Sequence, residues 1–172
     1  MEQQRIQFVG VQVVDGQGDP YLAREQEREM RDLVGTIGGT VVEMVVQHRA
    51  NPHQATYIGK GKLAELVELV EREKIEVVVV NDNLSSGQLF RLEQAFWELN
   101  HKVRVWDRID LILNIFEAHA SSVEAKLQIE LASLRHEGPR VYGLGKDVLS
   151  RQGGGIGTRG IGETNIEREK RN

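Results

Sequence analysis

The sequence predicts an α/β fold: a small, mostly parallel sheet flanked by helices, followed by a long two-helix coiled-coil hairpin with a glycine-rich tip loop. Three observations carry that prediction. Apolar, β-branched runs alternate with amphipathic helical stretches up to residue 106, an order that gives a parallel sheet covered by helices. Two of the runs, TVVEMVVQ at 40–47 and IEVVVV at 75–80, are nearly continuous in apolar residues, the mark of strands buried on both faces. From Asp107 the apolar positions step instead by 3 and 4 for roughly thirty residues, which is helical and close to a heptad.

Each element follows from its residues. RIQFVGVQVV at 5–14 is rich in β-branched residues and reads as a strand. Asp15 to Pro20 is a loop, and Leu22, Met30, Leu33 and Val34 then lie on one side of a charged helix that Gly38-Gly39 ends. After the strand at 40–47, Asn51-Pro52-His53 is a loop and Tyr57-Ile58 reads as a short strand broken by Gly59 and Gly61. Leu63, Leu66, Val67 and Val70 line the next helix, and Ile75 to Val80 is a buried strand. Ser85 and Gln88 have capping-box spacing ahead of a helix faced by Leu89, Leu92, Phe96 and Leu99, which Asn100 can end. Val103 to Trp106 is the last strand.

Asp107 can cap a helix that runs to about Glu137, where Gly138-Pro139 terminates it. Leu113, Phe116, Ala120, Val123, Leu127, Leu131 and Leu134 form its seam, and Leu127 is expected to face a partner helix. At about 1.5 Å per residue such a helix is about 45 Å long and outreaches the sheet. A second helical pattern begins near Glu163 and is expected to be an arm cut short, leaving part of the seam bare and open to self-association. The predicted division is therefore an α/β subdomain over 1–106 and a helical hairpin over 107–172, with its glycine-rich loop at 140–162.

Composition narrows the function. The chain has 172 residues, enough for one ordinary domain with an appendage, and 40% of them are apolar, enough for a sizeable core. There is no cysteine, which excludes disulfides, thiolate metal sites and a cysteine nucleophile. No apolar run approaches the length of a membrane span, and MEQQRIQ lacks the apolar block of a signal peptide, so a cytoplasmic protein is expected. A net charge of −4 does not announce nucleic acid. Distribution does more: between Pro139 and Gly162, Arg140, Lys146, Arg151 and Arg159 stand against Asp147 alone.

The motifs are sparse. LSRQGGGIGTRGIGE, at 149–163, packs six glycines and two arginines into fifteen residues. So much glycine cannot bury a core; it makes either slack chain or a backbone-exposing loop that fits closely against something else, and the arginines suit a negatively charged partner. Gly155, Gly157 and Gly160 satisfy G-x-G-x-x-G, but a helix rather than a strand precedes them, so they do not read as a dinucleotide site. No G-x-x-x-x-G-K-[ST] occurs in the chain. Gly59, Lys60, Gly61 and Lys62 open a helix and read first as a tight strand-to-helix turn with solvated lysines, though they also have the makings of a phosphate site. The five histidines share no close ligand spacing, so no metal site is expected. Asp107 and Asp110 read as a cap and a first-turn acid, and no nucleophile–base set stands out.

YIGKGKLAELVELV, VRVWDRIDLILNIF, EAKLQIELASLRHEGPR and LSRQGGGIGTRGIGE resemble, in order and spacing, the N-terminal region of the HflX GTPases. The resemblance covers roughly residues 35–172. The chain departs from the usual family pattern at His119 to Glu124, at His136-Glu137-Gly138 and at Ile161. The resemblance implies a cytoplasmic factor that binds the large ribosomal subunit and splits ribosomes under stress, its loop reaching ribosomal RNA near the peptidyl-transferase centre. By that likeness Arg151, Gln152, Gly153, Gly154, Gly155, Arg159 and Gly160 face RNA, with Gly157 in the same run and Arg140 and Lys146 in the basic stretch before it. GTP, its magnesium and GTP hydrolysis belong to the family's GTPase domain, which is a further expected partner; no cofactor is expected in this chain. The rival readings are a nucleotide-binding domain using the sheet crevice near Gly59 to Lys62, and a protein-interaction module that regulates a GTPase domain.

Overall fold

The computed structural model describes residues 5–97 and 103–152, with side chains as far as residue 138. Four strands, β1 (Gln7–Val14), β2 (Thr40–His48), β3 (Val77–Val80) and β4 (Arg104–Trp106), form one parallel sheet in the order β2-β1-β3-β4. Between them run α1 (Pro20–Thr36), α2 (Lys60–Arg72) and α3 (Ser86–Trp97); α4 (Arg108–His119) and α5 (Val123–Gln152) follow. The α/β class with a parallel sheet is the one the alternation predicts.

β1 and β3 are largely or fully buried on both faces, but β2, whose apolar run predicts the same, is an edge strand in which only Val41 and Val45 are buried and Val42 is exposed. All four valines of β3 are buried. On one face Val9, Val11, Val78, Val80 and Val105 pack with Leu66, Leu69 and Val70 of α2 and with Leu92 and Phe96 of α3. On the other, Phe8, Val41, Val77 and Val79 pack with Met30 and Val34 of α1 and Leu111 of α4.

Chain direction is fixed by local chemistry. Asp19 caps α1 by accepting the Tyr21 N–H at 2.9 Å, and Pro20 opens the helix, where its missing N–H costs nothing. After α1 the backbone turns through Gly38 at φ +75°, a conformation that favours glycine. Gly39 then lets the chain pass against the core: a Cβ there would stand 2.4 Å from the Phe8 ring and 2.8 Å from Val34. Ser85 and Gln88 form the expected reciprocal cap, with the Ser85 N–H donating to Gln88 Oε1 at 3.0 Å and the Gln88 N–H to Ser85 Oγ at 3.3 Å.

Three further sequence expectations are corrected. Tyr57-Ile58 is not a strand; only an isolated antiparallel bridge joins His53 and Tyr57. The helix expected over 107–137 is two helices. Ala120 leaves α4 in an extended conformation, and the Ser122 hydroxyl accepts the Ala125 N–H at 3.1 Å to start α5, so the serine pair is a stop and a cap rather than part of a seam. Gly138-Pro139 does not end a helix. Helix α5 passes through both and reaches Gln152, although proline's missing N–H removes one bond of the ladder. Residues 140–152 of the expected loop are thus helical. Asn100, expected to end α3, and the arm expected from Glu163 lie outside the described residues.

The expected seam does not face the body. Phe116 is 57% exposed, Val123 75%, Leu127 59%, Leu131 48% and Leu134 61%. The second arm that would cover them lies outside the described residues. Among those residues no helix is long and apolar enough to cross a membrane.

Two substitutions test this packing. Phe96→Ala empties a fully buried ring position and is expected to cost about 3–5 kcal/mol. Gly39→Ala forces a methyl into Phe8 and Val34 and is expected to cost about 1–3 kcal/mol. Denaturant melts read both; a Gly39→Ala chain as stable as its parent would contradict the close approach.

Candidate functional site

Strand order places the reversal of connectivity between β1 and β3, since α1 leads out to β2 on one side and α2 to β3 on the other. Ligands of open α/β sheets bind outside the carboxyl ends of strands at such a point. Here Tyr57 stands there. Its side chain is 2% exposed, and its hydroxyl accepts the Val13 N–H at the end of β1 at 3.3 Å. Burial pushes its phenol up to about 12; the Val13 hydrogen bond works against the shift, and Asp82, just past β3, adds to it. Tyr57 adopts φ +63°, an uncommon conformation for a residue with a side chain, so the surrounding structure holds it in place. His53 does part of this: its Nδ1 accepts the N–H groups of Ala55 and Thr56 at 3.3 Å each, while its carbonyl accepts Gln88 Nε2 of α3 at 3.0 Å.

Beside Tyr57 lie the four residues singled out for phosphate. Gly59 is the N-cap of α2 and offers no side chain to the free N–H groups of the first turn. Its own N–H donates to Gln47 Oε1 at 2.8 Å. A Cβ on Gly59 would stand 3.0 Å from Arg49 Nη1, so a guanidinium lies against this helix start, a neighbour that sequence spacing did not reveal. Lys60 is exposed and Gly61 has open space around it, whereas Lys62 is ion-paired to Glu65 within the helix. The structure therefore brings Arg49 to Gly59, leaves Lys60 and Gly61 open beside them in sequence, and turns Lys62 toward an acid.

The glycine-rich candidates divide. Arg140, Lys146, Arg151 and Gln152 fall on the backbone of α5 rather than in a loop. Gly153, Gly154, Gly155, Gly157, Arg159 and Gly160 lie outside the described residues.

A third group was invisible in the sequence. Asp107, Asp110 and His136 come together where β4 ends, α4 begins and α5 passes. Their ligand atoms all lie within 4.8 Å of one another, a spacing that could hold a metal ion. The carboxylates have other work. Asp107 Oδ1 accepts the Asp110 N–H and Asp110 Oδ2 accepts the Asp107 N–H, each at 2.9 Å, a complete capping box. Asp107 Oδ2 also accepts the Leu84 N–H at 3.3 Å. His136 Nε2 sits 3.2 Å from Asp107 Oδ1 and 3.4 Å from Asp110 Oδ1. The positive end of α4 also points at this spot, which favours the carboxylates and opposes a divalent cation.

The family model described as GTP-binding GTPase N-terminal matches residues 24–117, and that described as GTP-binding GTPase middle region matches residues 119–172. A GTPase HflX of Caldanaerobacter subterraneus subsp. tengcongensis is 45% identical over 147 residues, covering 86% of this chain and 33% of that protein. The GTPase HflX of Escherichia coli K12 is 39% identical over 147 residues, with the same two coverages. The chain spans about a third of the length of these curated relatives. A crystal structure of a GTP-binding protein from the hyperthermophilic archaeon Sulfolobus solfataricus in complex with GDP superposes with a TM-score of 0.62 at 25% identity, over 86% of this chain and 42% of that one.

Tyr57 gives a pH test. Below pH 10 the phenol is protonated in both folded and unfolded chains; between 10 and about 12 only the unfolded chain ionises, so stability falls with rising pH through that window. Tyr57→Phe also leaves the Val13 N–H without its partner, at a cost of about 1–3 kcal/mol. The melting-temperature gap between parent and variant is expected to be largest near pH 9 and to narrow by pH 11. A gap that stays constant would place the phenol in water.

Proposed function

The chain belongs to the HflX family of GTPases, whose N-terminal and middle regions it matches, and on that premise we propose that it is a cytoplasmic ribosome-binding module. In this reading the glycine-rich segment meets ribosomal RNA of the large subunit near the peptidyl-transferase centre, in the splitting of ribosomes under stress. The family's own GTPase domain is the second partner.

The observation that supports this reading best is α5. It is a continuous helix of 30 residues, about 45 Å long, that meets the α/β body at α3 and α4. His136 meets Asp107 at the carboxyl end of β4, and sixteen further residues carry the helix about 24 Å onward. A helix of that length suits the delivery of a segment to a surface the body cannot reach. At its end comes RQGGGIGTRG, whose glycines allow backbone to approach RNA closely and whose arginines suit phosphates or base stacking.

A second reading rests on the start of α2, where Arg49 lies beside a helix N-terminus without a side-chain cap and Lys60 is exposed. That chemistry suits a phosphate group. Weak binding of a nucleoside triphosphate, lost in Lys60→Ala with the fold intact, would favour it; equal binding by parent and variant would remove it.

Salt dependence separates the readings. If Arg151, Arg159 and two other cations each meet one phosphate, the log–log slope of large-subunit affinity against salt is about −3, and Arg151→Ala with Arg159→Ala cuts it to roughly half. The melting temperature is expected to stay within a degree or two of the parent. An affinity unchanged by the double substitution at low and moderate salt would remove the glycine-rich segment from the contact. Without a P-loop sequence, the 172-residue chain is also expected to hydrolyse no GTP above background, with or without ribosomes. Turnover lost on a point substitution within the chain would overturn that expectation.

A further inference from the structure

Each of α1 to α4 buries apolar side chains in the body: Met30 and Val34, then Leu66, Leu69 and Val70, then Leu92 and Phe96, then Leu111. Helix α5 does not. None of its described side chains is buried, and neither core cluster contains one of them. Its larger apolar residues, Val123, Leu127, Leu131 and Leu134, are exposed. Its half-buried residues are Ala125, Ile129, Ala132, Ser133, His136 and Gly138, mostly small or polar. Even these residues do not close on the body. A groove of about 940 Å³ lies open between them, lined by Leu89 of α3, Trp106 of β4, Asn114 of α4 and Ile129 and Ser133 of α5.

Among the described contacts of α5, that of His136 differs in kind from apolar packing. His136 Nε2 reaches Asp107, whose side chain is 0% exposed, and Asp110, which is 14% exposed. Asp107 is itself held by the Leu84 and Asp110 N–H groups, so it cannot move without disturbing the starts of α3 and α4. A charge-assisted bond to so fixed an acceptor is strong and directional. The nearby Arg108 offers no competing grip on α5, since its guanidinium is engaged by Asn81 at 2.6 Å and by Glu29 at 2.7 Å.

We propose that His136 is a pin: its Nε2–H, donated to the Asp107 and Asp110 carboxylates, fixes the direction in which α5 leaves the body, and so makes it a positioning residue for the segment beyond Gln152. The positioning role rests on the ribosome reading; the pin itself does not. The imidazole need only carry its proton on Nε2, in the neutral or the charged form. Apolar packing leaves the direction of α5 loosely defined, whereas a hydrogen bond to a rigid carboxylate defines it.

The chain has no cysteine, so spin labels attach only at introduced ones. Arg28→Cys on α1 and Asp147→Cys on α5 report the angle of the helix to the body through the distance distribution between two nitroxides. With His136 present the distribution is expected to be single and narrow. His136→Ala is expected to broaden it at least twofold, and His136→Gln, which keeps a side-chain N–H donor, to restore most of the narrowness. Asp110→Asn, which spares Asp107, is expected to broaden it less than His136→Ala does. An unchanged width in His136→Ala, or a glutamine variant as broad as the alanine one, would overturn the pin. Large-subunit affinity of the same proteins is read in parallel. A loss of about fivefold or more in His136→Ala, recovered in His136→Gln, supports positioning, and an affinity that ignores both overturns it. If the unsubstituted chain fails to bind the large subunit, the ribosome reading falls while the label distances still decide the pin.

Discussion

The carboxylate of Asp107 is the joint of this molecule. Burying an ionised side chain completely is costly unless its lone pairs are occupied and its charge is met. Here every direction is used. Two backbone N–H groups, one from Leu84 and one from Asp110, point at it, the positive end of α4 begins on it, and His136 arrives from α5. One group thereby ties the end of β4 to the starts of α3 and α4 and to the flank of α5. The sheet supplies the rigidity behind it, since β3 is buried on both faces and pairs β1 on one side and β4 on the other.

What could be read from the sequence was what local chemistry decides. Valine-rich runs give strands, and β2 and β3 were legible for that reason, although only β3 is covered on both faces and β2 lies at the sheet edge. Caps were legible because they act within one turn: Ser85 with Gln88, and Asp107 with Asp110, sit three residues apart and bond as their spacing implies. The errors came where a local rule met a competing one. Ser121-Ser122 interrupts a good apolar periodicity because a serine hydroxyl satisfies a helix start better than it continues a helix. Gly138-Pro139, a strong stop signal, lies inside α5. Tyr57 reads as a strand residue by propensity, yet its positive φ suits a loop that lodges the ring beside β1.

The site divides along the same line. Gly59 to Lys62 was legible as a helix start because glycine and lysine there are a local pattern, while Arg49 beside it was not, because contact across ten residues of loop leaves no periodic trace. His136 and Asp107 are 29 residues apart and share no motif. Reading the histidines by ligand spacing passes over such a pair by construction. The glycine run was legible as unusual from composition alone, and the helix that precedes it came from the structure.

The length of α5 past His136 has a mechanical consequence. Sixteen residues of helix form a lever about 24 Å long with its fulcrum at the Asp107 joint. A tilt of about 10° at the fulcrum sweeps the far end through about 4 Å, roughly one extended residue. Motions too small to disturb the sheet are thus magnified at Gln152. The interior of a lever matters as much as its pivot, and Pro139 lies three residues along it, where the carbonyl of Arg135 loses its helical donor. One missing bond in this span leaves the lever helical throughout, so an angle set at Asp107 is carried to Gln152.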